Sequence, residues 1–340
     1  MSSIEVNMNA VSRSAFVAAI VIGASESLSF AADALRLVQT IPLPGVEGRI
    51  DHFGFDPSGK RLFVAALGND TVEVVDLEKG KVVAQIKGLR APQGIAVAPD
   101  VNRLAVANDK DGSVRFFDAK SFAHLYTVDL KDDADNVRYD AGTQRFWIGY
   151  GDGGLASVDA QTGKMLADVK LEAHPESFQL ESKGKRIFVN VTGARHVAVI
   201  DRDDAEIIAK WSVKEAEANF PMALDEVNHR LFIGCRKPAK LLVLDTETGK
   251  TVSLLDIVGD TDDLFYDAAN KLVYVSGGEG RVTIINQLNA DSYTVVSQVS
   301  TAPGARTSFF VPESGLLYVA VPHRGSQAAE LRVFKTEQAK

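Results

Sequence analysis

The 340-residue sequence has little of several features that mark common protein classes. Its single cysteine, Cys235, cannot form a disulfide within the chain, and we expect it to be a buried small apolar residue. After residue 35 there is neither a helical apolar period nor an apolar run of about eighteen residues, which predicts strands and no membrane span in the mature chain. Tracts of basic residues are also missing. The chain has 37 Lys and Arg residues against 45 Asp and Glu residues, and its formal net charge is −8. Because nucleic-acid binding needs a basic face, this composition excludes a nucleic-acid partner.

The short motifs of several enzyme classes are missing as well. The sequence contains no Gly-x-Ser-x-Gly elbow, no CxxC pair and no CxxCH motif, so serine hydrolases, thioredoxin-like proteins and c-type cytochromes have no support. Residues 149–154 are rich in glycine, but no helical pattern follows them. A dinucleotide-binding loop opens a helix, so that interpretation fails here.

The N-terminal segment has the composition of a signal peptide. Arg13 precedes an apolar run over residues 15–24, and the small residues Ser29 and Ala31 allow cleavage after Ala31. This run is too short to span a bilayer. We therefore predict a signal peptide over residues 1–31, a mature domain over residues 32–340, and a periplasmic or secreted protein. The true start codon and the cleavage site stay open.

From residue 35 onward, short apolar strands separated by Gly, Pro, Asn and Asp turns repeat with a spacing of about 42 residues. Seven repeats fit the sequence, and each provides up to four strands. The innermost strands are predicted to start at Asp51, Gln93, Asp135, Glu176, Phe220, Asp262 and Thr307. This arrangement predicts an all-β fold: a single seven-bladed β-propeller of four-stranded blades.

The seventh repeat is one strand short. Residues 306–334 provide three strands, and the chain then runs out of apolar pattern. Residues 35–41 offer the missing outer strand. We therefore predict that this N-terminal strand pairs beside residues 331–334 and closes the last blade, which hides edges that would otherwise be open to aggregation.

Two of the repeats resemble the YVTN-type propeller repeat. The matching segments are residues 62–65, 69–76 and 80–83 in the first repeat, and residues 104–108 and 112–115 in the second. The resemblance extends over essentially the whole mature chain and points to the bacterial YncE-like periplasmic proteins. It implies a propeller that binds ligands or proteins. Related propellers also include lactonases, lyases and redox proteins, so the resemblance does not fix an activity.

Polar residues occupy most of the positions at which the innermost strands start. In a propeller, the loops that lead into these strands share one face with the loops between the second and third strands. The polar side chains of both loop sets should therefore converge on one mouth of the central channel. The predicted ligand-binding residues on this face are Asp51, His52, Gln93, Asn108, Asp135, Asn136, His174, Glu176, Asn190, Asn219, Arg236, Asp262, Asp263, Glu279, Arg306 and His323.

Some of these residues also carry the donor types that a divalent cation takes, and a cation would relieve the repulsion between carboxylates. The candidate metal ligands are His52, Asp135, His174, Glu176 and Asp262. Against this interpretation, the residues have no fixed motif spacing, and Asp and Asn at strand starts often bond to backbone groups.

Two functional hypotheses follow, and whether the protein is an enzyme stays open. The first is a non-catalytic exported protein that binds a small polar ligand, a peptide or a protein partner at the acidic mouth. The alternative is a metal-assisted hydrolase or lyase of lactonase type, with His174 as base, Glu176 as acid or ligand and Arg306 as the anchor of a substrate carboxylate. Scaffolding of another exported protein is a third hypothesis. The sequence identifies neither the ligand nor the oligomeric state.

Overall fold

The computed structural model describes Met1 and residues 35–336. Apart from Met1, the predicted signal peptide lies outside the described residues. The described strands are, in chain order, β1 (Leu35–Pro42), β2 (Phe53–Asp56), β3 (Arg61–Ala66), β4 (Thr71–Asp76), β5 (Lys81–Ile86), β6 (Pro92–Ala98), β7 (Arg103–Asn108), β8 (Ser113–Asp118), β9 (His124–Asp129), β10 (Ala134–Asp140), β11 (Arg145–Tyr150), β12 (Gly154–Asp159), β13 (Met165–Lys170), β14 (Pro175–Leu180), β15 (Arg186–Val191), β16 (His196–Asp201), β17 (Glu206–Ser212), β18 (Glu217–Asp225), β19 (Arg230–Lys237), β20 (Ala239–Asp245), β21 (Thr251–Asp256), β22 (Thr261–Asp267), β23 (Leu272–Gly277), β24 (Arg281–Asn289), β25 (Ser292–Ser300), β26 (Ser308–Val311), β27 (Leu316–Val321) and β28 (Glu330–Thr336). Two 3₁₀ turns span Leu67–Asn69 and Thr192–Ala194.

These strands form seven antiparallel sheets of four strands each. Six sheets consist of four consecutive strands, starting with β2, and they form blades one to six. The seventh sheet, in the order β1-β28-β27-β26, is blade seven. Neighbouring blades meet through their innermost strands, as β2 meets β6 and β6 meets β10. The predicted seven-bladed propeller is confirmed.

The closing strand is also confirmed. β1 pairs antiparallel with β28, with Leu37 opposite Phe334 and Ile41 opposite Leu331. Ile41 and Leu331 are completely buried, so the joint between the two ends of the described chain is also part of the apolar core. Hydrogen bonds and burial together therefore hold the ring closed.

Strand position within a blade determines the residue pattern. The middle strands lie between two neighbouring blades, so both of their faces are buried; β3 and β23 are almost continuously apolar for this reason. The outermost strands have one exposed face, and β5 and β17 accordingly alternate between exposed and partly buried residues. Large aromatic residues such as Trp147 and Tyr274 fill the spaces between blades. Cys235 is buried, as predicted.

In the part of the chain that the structure describes, no helix is long and apolar enough to cross a membrane.

A central cavity of about 500 Å³ lies between the innermost strands. Its wall includes the aromatic rings of Phe55 and Phe309, the Arg138 guanidinium and the Gln179 amide. His52 and Asp263 also line it, and both stand where an innermost strand begins. The cavity is therefore continuous with the face at which the polar residues were predicted to gather.

Candidate functional site

The side chains that lead into the innermost strands converge around the channel. We call this group the mouth cluster. Its members are Arg49, Asp51, His52, Asp133, Asp135, His174, Glu176, Arg236, Asp260, Asp262, Asp263 and Arg306.

Local backbone irregularities aim these side chains at the channel. The pairing of the innermost strand with its neighbour shifts register near the mouth end in five blades. In β10 the shift lies between Ala134 and Val137, which brackets Asp135; in β14 it lies between Pro175 and Phe178, which brackets Glu176. A β-bulge leaves residues unpaired and redirects their side chains. The repeat thus places a polar residue at the point where the strand geometry turns it inward.

The first part of the cluster joins blades one and six. His52 Nδ1 lies 3.2 Å from Asp263 Oδ1, and Arg49 Nη2 lies 2.8 Å from Asp51 Oδ2. Asp263 Oδ2 also accepts a hydrogen bond from the Ser308 backbone N–H. Burial lowers the pKa of His52, but Asp263 and Asp51 outweigh it and hold this pKa well above its ordinary value. Burial raises the pKa of Asp51 and Asp263 despite these partners.

The second part joins blades three and four. His174 Nε2 lies 3.6 Å from Asp135 Oδ2, and single ligand atoms of Asp135, His174 and Glu176 lie within 4.8 Å of one another. Burial and the charge of Asp135 raise the pKa of Glu176 to about 8. Burial lowers the pKa of His174, but Asp135 and Glu176 bring it to about 9. Burial raises the pKa of neighbouring Asp133 to about 6.

The third part joins blades five, six and seven. Arg236 forms an ion pair with Asp262 and donates from Nε to the Thr261 carbonyl at 2.7 Å. Its guanidinium carbon lies 3.5 Å from the centre of the Phe220 ring, a cation–π contact. Arg306 Nη1 lies 3.0 Å from Asp260 Oδ1. Both predicted arginines are thus already neutralised by carboxylates, so neither is a free anion-binding group.

Three buried carboxylates of the cluster have oxygens without a hydrogen bond. They are Asp51, which is completely buried, and Asp135 and Asp262, which are 6% and 7% exposed. Asp51 lacks a partner for both oxygens, so its close approach to Arg49 is an ion pair without hydrogen-bond alignment. Buried polar atoms nearly always have a partner, and an unpaired buried carboxylate is costly. The mouth therefore contains unsatisfied acceptors.

The three parts act on one another electrostatically. The charge of Asp51 raises the pKa of Asp262, and the charges of Asp135 and Asp262 raise that of Glu176. Burial lowers the pKa of Arg49, but the charges of Asp51, Asp262 and Asp135 outweigh it and raise this pKa. Seven carboxylates share this opening with three arginines and two histidines. With both histidines protonated, five positively charged groups face seven carboxyl groups, and the raised pKa values of Glu176 and Asp133 reflect burial together with this excess of acidic groups.

Not every predicted ligand-binding residue reaches the mouth. Asn108, Asn190 and Asn219 are completely buried. The Asn108 amide bonds to the backbone of Arg90 and Ser113, and Asn190 donates to the Phe220 carbonyl at 2.9 Å. These asparagines hold loops in place.

The remaining predicted residues support the cluster or lie on neighbouring loops. Gln93 donates to Asp133 Oδ1 at 2.9 Å, and Asn136 donates to Asp135 Oδ2 at 3.2 Å. Glu279 pairs with Arg281 at 3.3 Å, and His323 Nδ1 lies 2.8 Å from Glu47 Oε2. Neither of these last two pairs includes a member of the mouth cluster.

Sequence reasoning missed Arg49, Asp133 and Asp260, as well as Arg138 in the cavity wall. A signal for the first three exists. Each stands two residues before a predicted strand start, the position that His174 occupies before Glu176. The signal is this spacing alone, because Asp133 and Asp260 have positive φ values of 20° and 54° and so do not continue the extended backbone of the strand.

Comparisons with known proteins agree with the fold. Residues 110–333 match the PQQ_2 family model, described as outer membrane protein assembly factor BamB. Two proteins named uncharacterized protein YncE, from Salmonella typhimurium and Salmonella typhi, are each 23% identical over 225 residues. These matches cover 61% of this chain and 63% of each relative, less than two thirds of the relatives' length.

Solved structures show the same architecture. A chain of Kuenenia stuttgartiensis hydrazine synthase superposes with a TM-score of 0.75 at 17% identity, covering 87% of this chain and 99% of that one. The RRP9 WD40 repeats superpose with a TM-score of 0.76 at 12% identity, covering 90% and 98%. At such low identity, these similarities establish the propeller fold alone.

Proposed function

The chain belongs to the PQQ_2 β-propeller family, and on that premise we propose that it is an exported protein that binds a small polar, positively charged ligand at the mouth cluster. The observation that carries this proposal is that oxygens of Asp51, Asp135 and Asp262 are buried and accept no hydrogen bond. A cationic group at the opening would satisfy these acceptors and offset the excess of acidic over basic groups. Because the strands already hold the carboxylates in place, little reorganisation would oppose binding.

The central cavity supports a small ligand. Its volume of about 500 Å³ lies within the range of small-molecule pockets, and Phe55 and Phe309 offer apolar surface below the charged opening. His52 and Asp263 belong to both the cavity wall and the mouth cluster. A ligand with a charged head and a short apolar body matches this arrangement, and so does the end of a peptide.

Export to the periplasm or beyond is the cellular part of the proposal. It is supported by the composition of residues 1–31 and by the similarity to YncE. Cell fractionation of the full chain tests it. Recovery of a shortened protein with the periplasmic fraction is expected, and a full-length protein confined to the cytoplasm would contradict it.

The ligand is tested by calorimetric titration with spermidine, a small polycation, and with succinate as the anionic control. We expect spermidine to bind and succinate not to bind. In the Asp262→Asn variant, spermidine affinity should fall about tenfold, since one charge-assisted contact is lost. Glu279→Gln on a neighbouring loop is the matched control. Equal binding of the two probes, or equal effects of the two variants, would contradict the proposal.

The second candidate is a metal-assisted hydrolase or lyase at the same mouth. Its support is Glu176, whose pKa of about 8 leaves it able to donate a proton at neutral pH. The pKa of His174, about 9, disfavours the role of base for this residue near neutrality. Arg306 would have to leave Asp260 to anchor a substrate. A panel of lactones tests this function: turnover that disappears in Glu176→Gln supports it, and no turnover on any of them removes it.

A further inference from the structure

Asp135, His174 and Glu176 are held by two neighbouring blades in the arrangement of a metal site. Asp135 stands at the start of β10 and Glu176 at the start of β14, while His174 lies in the loop that leads into β14. One ligand atom from each residue lies within 4.8 Å of the others. We propose that these three side chains bind one divalent transition-metal ion, of the class of Zn²⁺ or Mn²⁺. This inference rests on the proposed function only in that both require the mouth cluster to be a binding site.

The orientation of His174 is the first argument. Its Nδ1 lies 2.7 Å from the carbonyl oxygen of Gly151, and a carbonyl can only accept. Nδ1 therefore carries the proton. In the neutral ring this leaves the lone pair on Nε2, the nitrogen that faces Asp135. A backbone carbonyl that fixes the tautomer of a histidine is the usual outer support of a metal-ligating imidazole.

The spacing of the donors is the second argument. His174 Nε2 lies 3.6 Å from Asp135 Oδ2, too far for a hydrogen bond and close enough for both atoms to share an ion. Within residues 35–336, the Glu176 carboxylate makes no hydrogen bond, and Asp135 Oδ1 is buried without one. Of the four carboxylate oxygens in this group, only Asp135 Oδ2 has a hydrogen-bond partner within these residues, the Asn136 amide.

An internal ion pair does not account for the cluster. His174 approaches only Oδ2 of Asp135, so an ion pair between the two residues leaves the buried Oδ1 without a partner. Asp135 is only 6% exposed, so solvent cannot compensate its free oxygen. A divalent cation would neutralise both carboxylates at once and give every donor a partner.

The donor set indicates the class of metal. One imidazole nitrogen with two carboxylates suits Zn²⁺, Mn²⁺ and related first-row ions, whereas Ca²⁺ takes oxygen ligands alone and Mg²⁺ retains most of its water. Three protein ligands leave at least one coordination position for a further ligand. Asn136 donates to Asp135 Oδ2 at 3.2 Å and would hold the Asp135 carboxylate in its orientation toward the metal.

The test is a titration of the full chain, stripped with EDTA and dialysed, with zinc chloride alone. We expect one equivalent to bind, and CaCl₂ to compete only weakly. Cobalt chloride gives a second readout, because Co²⁺ in a low-symmetry protein site acquires visible absorption that free Co²⁺ lacks. His174→Ala and Glu176→Gln should each weaken zinc affinity by about 100-fold or more and abolish the cobalt spectrum. Circular dichroism checks that both variants fold. If His174→Ala does not fold, Glu176→Gln, which is the milder change, carries the test alone.

His323→Ala is the matched control, because His323 pairs with the carboxylate Glu47 on the same face outside the mouth cluster. Its zinc affinity should match the parent protein. No stoichiometric zinc binding, or equal loss in His323→Ala and His174→Ala, overturns the metal site. Spermidine titration, read in parallel, separates the two proposals: spermidine binding without zinc binding overturns the metal site alone. Zinc binding without spermidine binding supports the metal site and removes the organic ligand.

Discussion

Aspartates stand at both faces of the propeller, and their surroundings differ. On the face opposite the mouth, the third strand of a blade ends in an aspartate that caps the following turn. Asp118 Oδ1 accepts hydrogen bonds from the backbone N–H groups of Lys120 and Ser121, and Asp245 Oδ1 accepts them from Glu247 and Thr248. Hydrogen bonds from Ser121 hold the pKa of Asp118 below its ordinary value.

At the mouth the same residue type is buried and poorly satisfied. Asp51 and Asp262 have no exposed surface of consequence, and burial raises their pKa. The repeat therefore uses one residue type for two purposes. Aspartates that meet backbone N–H groups stabilise turns, whereas those that meet one another create a site that favours a positive charge.

The largest effect is expected on ligand affinity. The double variant Asp51→Asn/Asp262→Asn should bind spermidine about 100-fold more weakly, because two buried charges at the opening are removed. The double variant Asp118→Asn/Asp245→Asn should bind as the parent protein does, since those carboxylates face the other end of the ring. Calorimetry measures both. Similar losses in the two double variants would end the distinction between the faces.

The second effect concerns turn stability. Asp245→Ala removes the acceptor for two backbone N–H groups, and we expect the free energy of unfolding to fall by about 1–2 kcal/mol, as for a lost cap. Urea unfolding monitored by circular dichroism measures this change. Asp204→Ala, in a turn but not at the capping position, is the control. A stability change within error for Asp245→Ala would show that the turn holds without its aspartate.

At the mouth, replacing an aspartate should have the opposite effect on the free energy of unfolding. Asp51→Asn replaces a buried carboxylate that lacks hydrogen bonds with a neutral isostere, so the free energy of unfolding should stay unchanged or rise by about 1 kcal/mol. The same urea experiment compares it with Asp245→Ala. A clear destabilisation by Asp51→Asn would mean that its pairing with Arg49 and His52 outweighs its burial.

The smallest effect is the dependence of stability on pH. The pKa of His52 in the folded protein lies well above its ordinary value near 6.5, because Asp263, Asp51 and Asp135 face it. Protonated His52 therefore stabilises the fold fully below pH 6.5, and this contribution is lost as the pH rises through the raised pKa. The free energy of unfolding should therefore be lower at pH 9.5 than at pH 6.5, and this difference should be smaller in the His52→Gln variant. Identical profiles for parent and variant would contradict the assignment.

Much of the fold could be predicted because the repeat recurs. The spacing that leads from Asp51 to Gln93 and Asp135 locates the innermost strands, and the apolar residues of 35–41 match the strand missing from blade seven. The repeat spacing is a property of the sequence, whereas the bulges that bracket Asp135 and Glu176 are seen only in the structure.

The details of the site could not be predicted in the same way. An asparagine that binds a ligand and one that bonds to backbone have the same sequence signature, and only the structure shows that Asn108 and Asn190 do the latter. The distances among Asp135, His174 and Glu176 depend on how two blades pack. Arg138 reaches the cavity from within a strand, where sequence gives no reason to expect a cation to face the channel.

The pairing of β1 with β28 also concerns the order in which the chain is synthesised. The first described strand finds its only in-sheet neighbour at the far end of the described chain, where Leu35 stands opposite Thr336. β1 therefore stays unpaired until β28 has been synthesised, by which point the strands of all six other blades are present. The nearness of the two ends also means that they could be joined covalently and the ring opened between other blades, which would give a circular permutant with the same architecture.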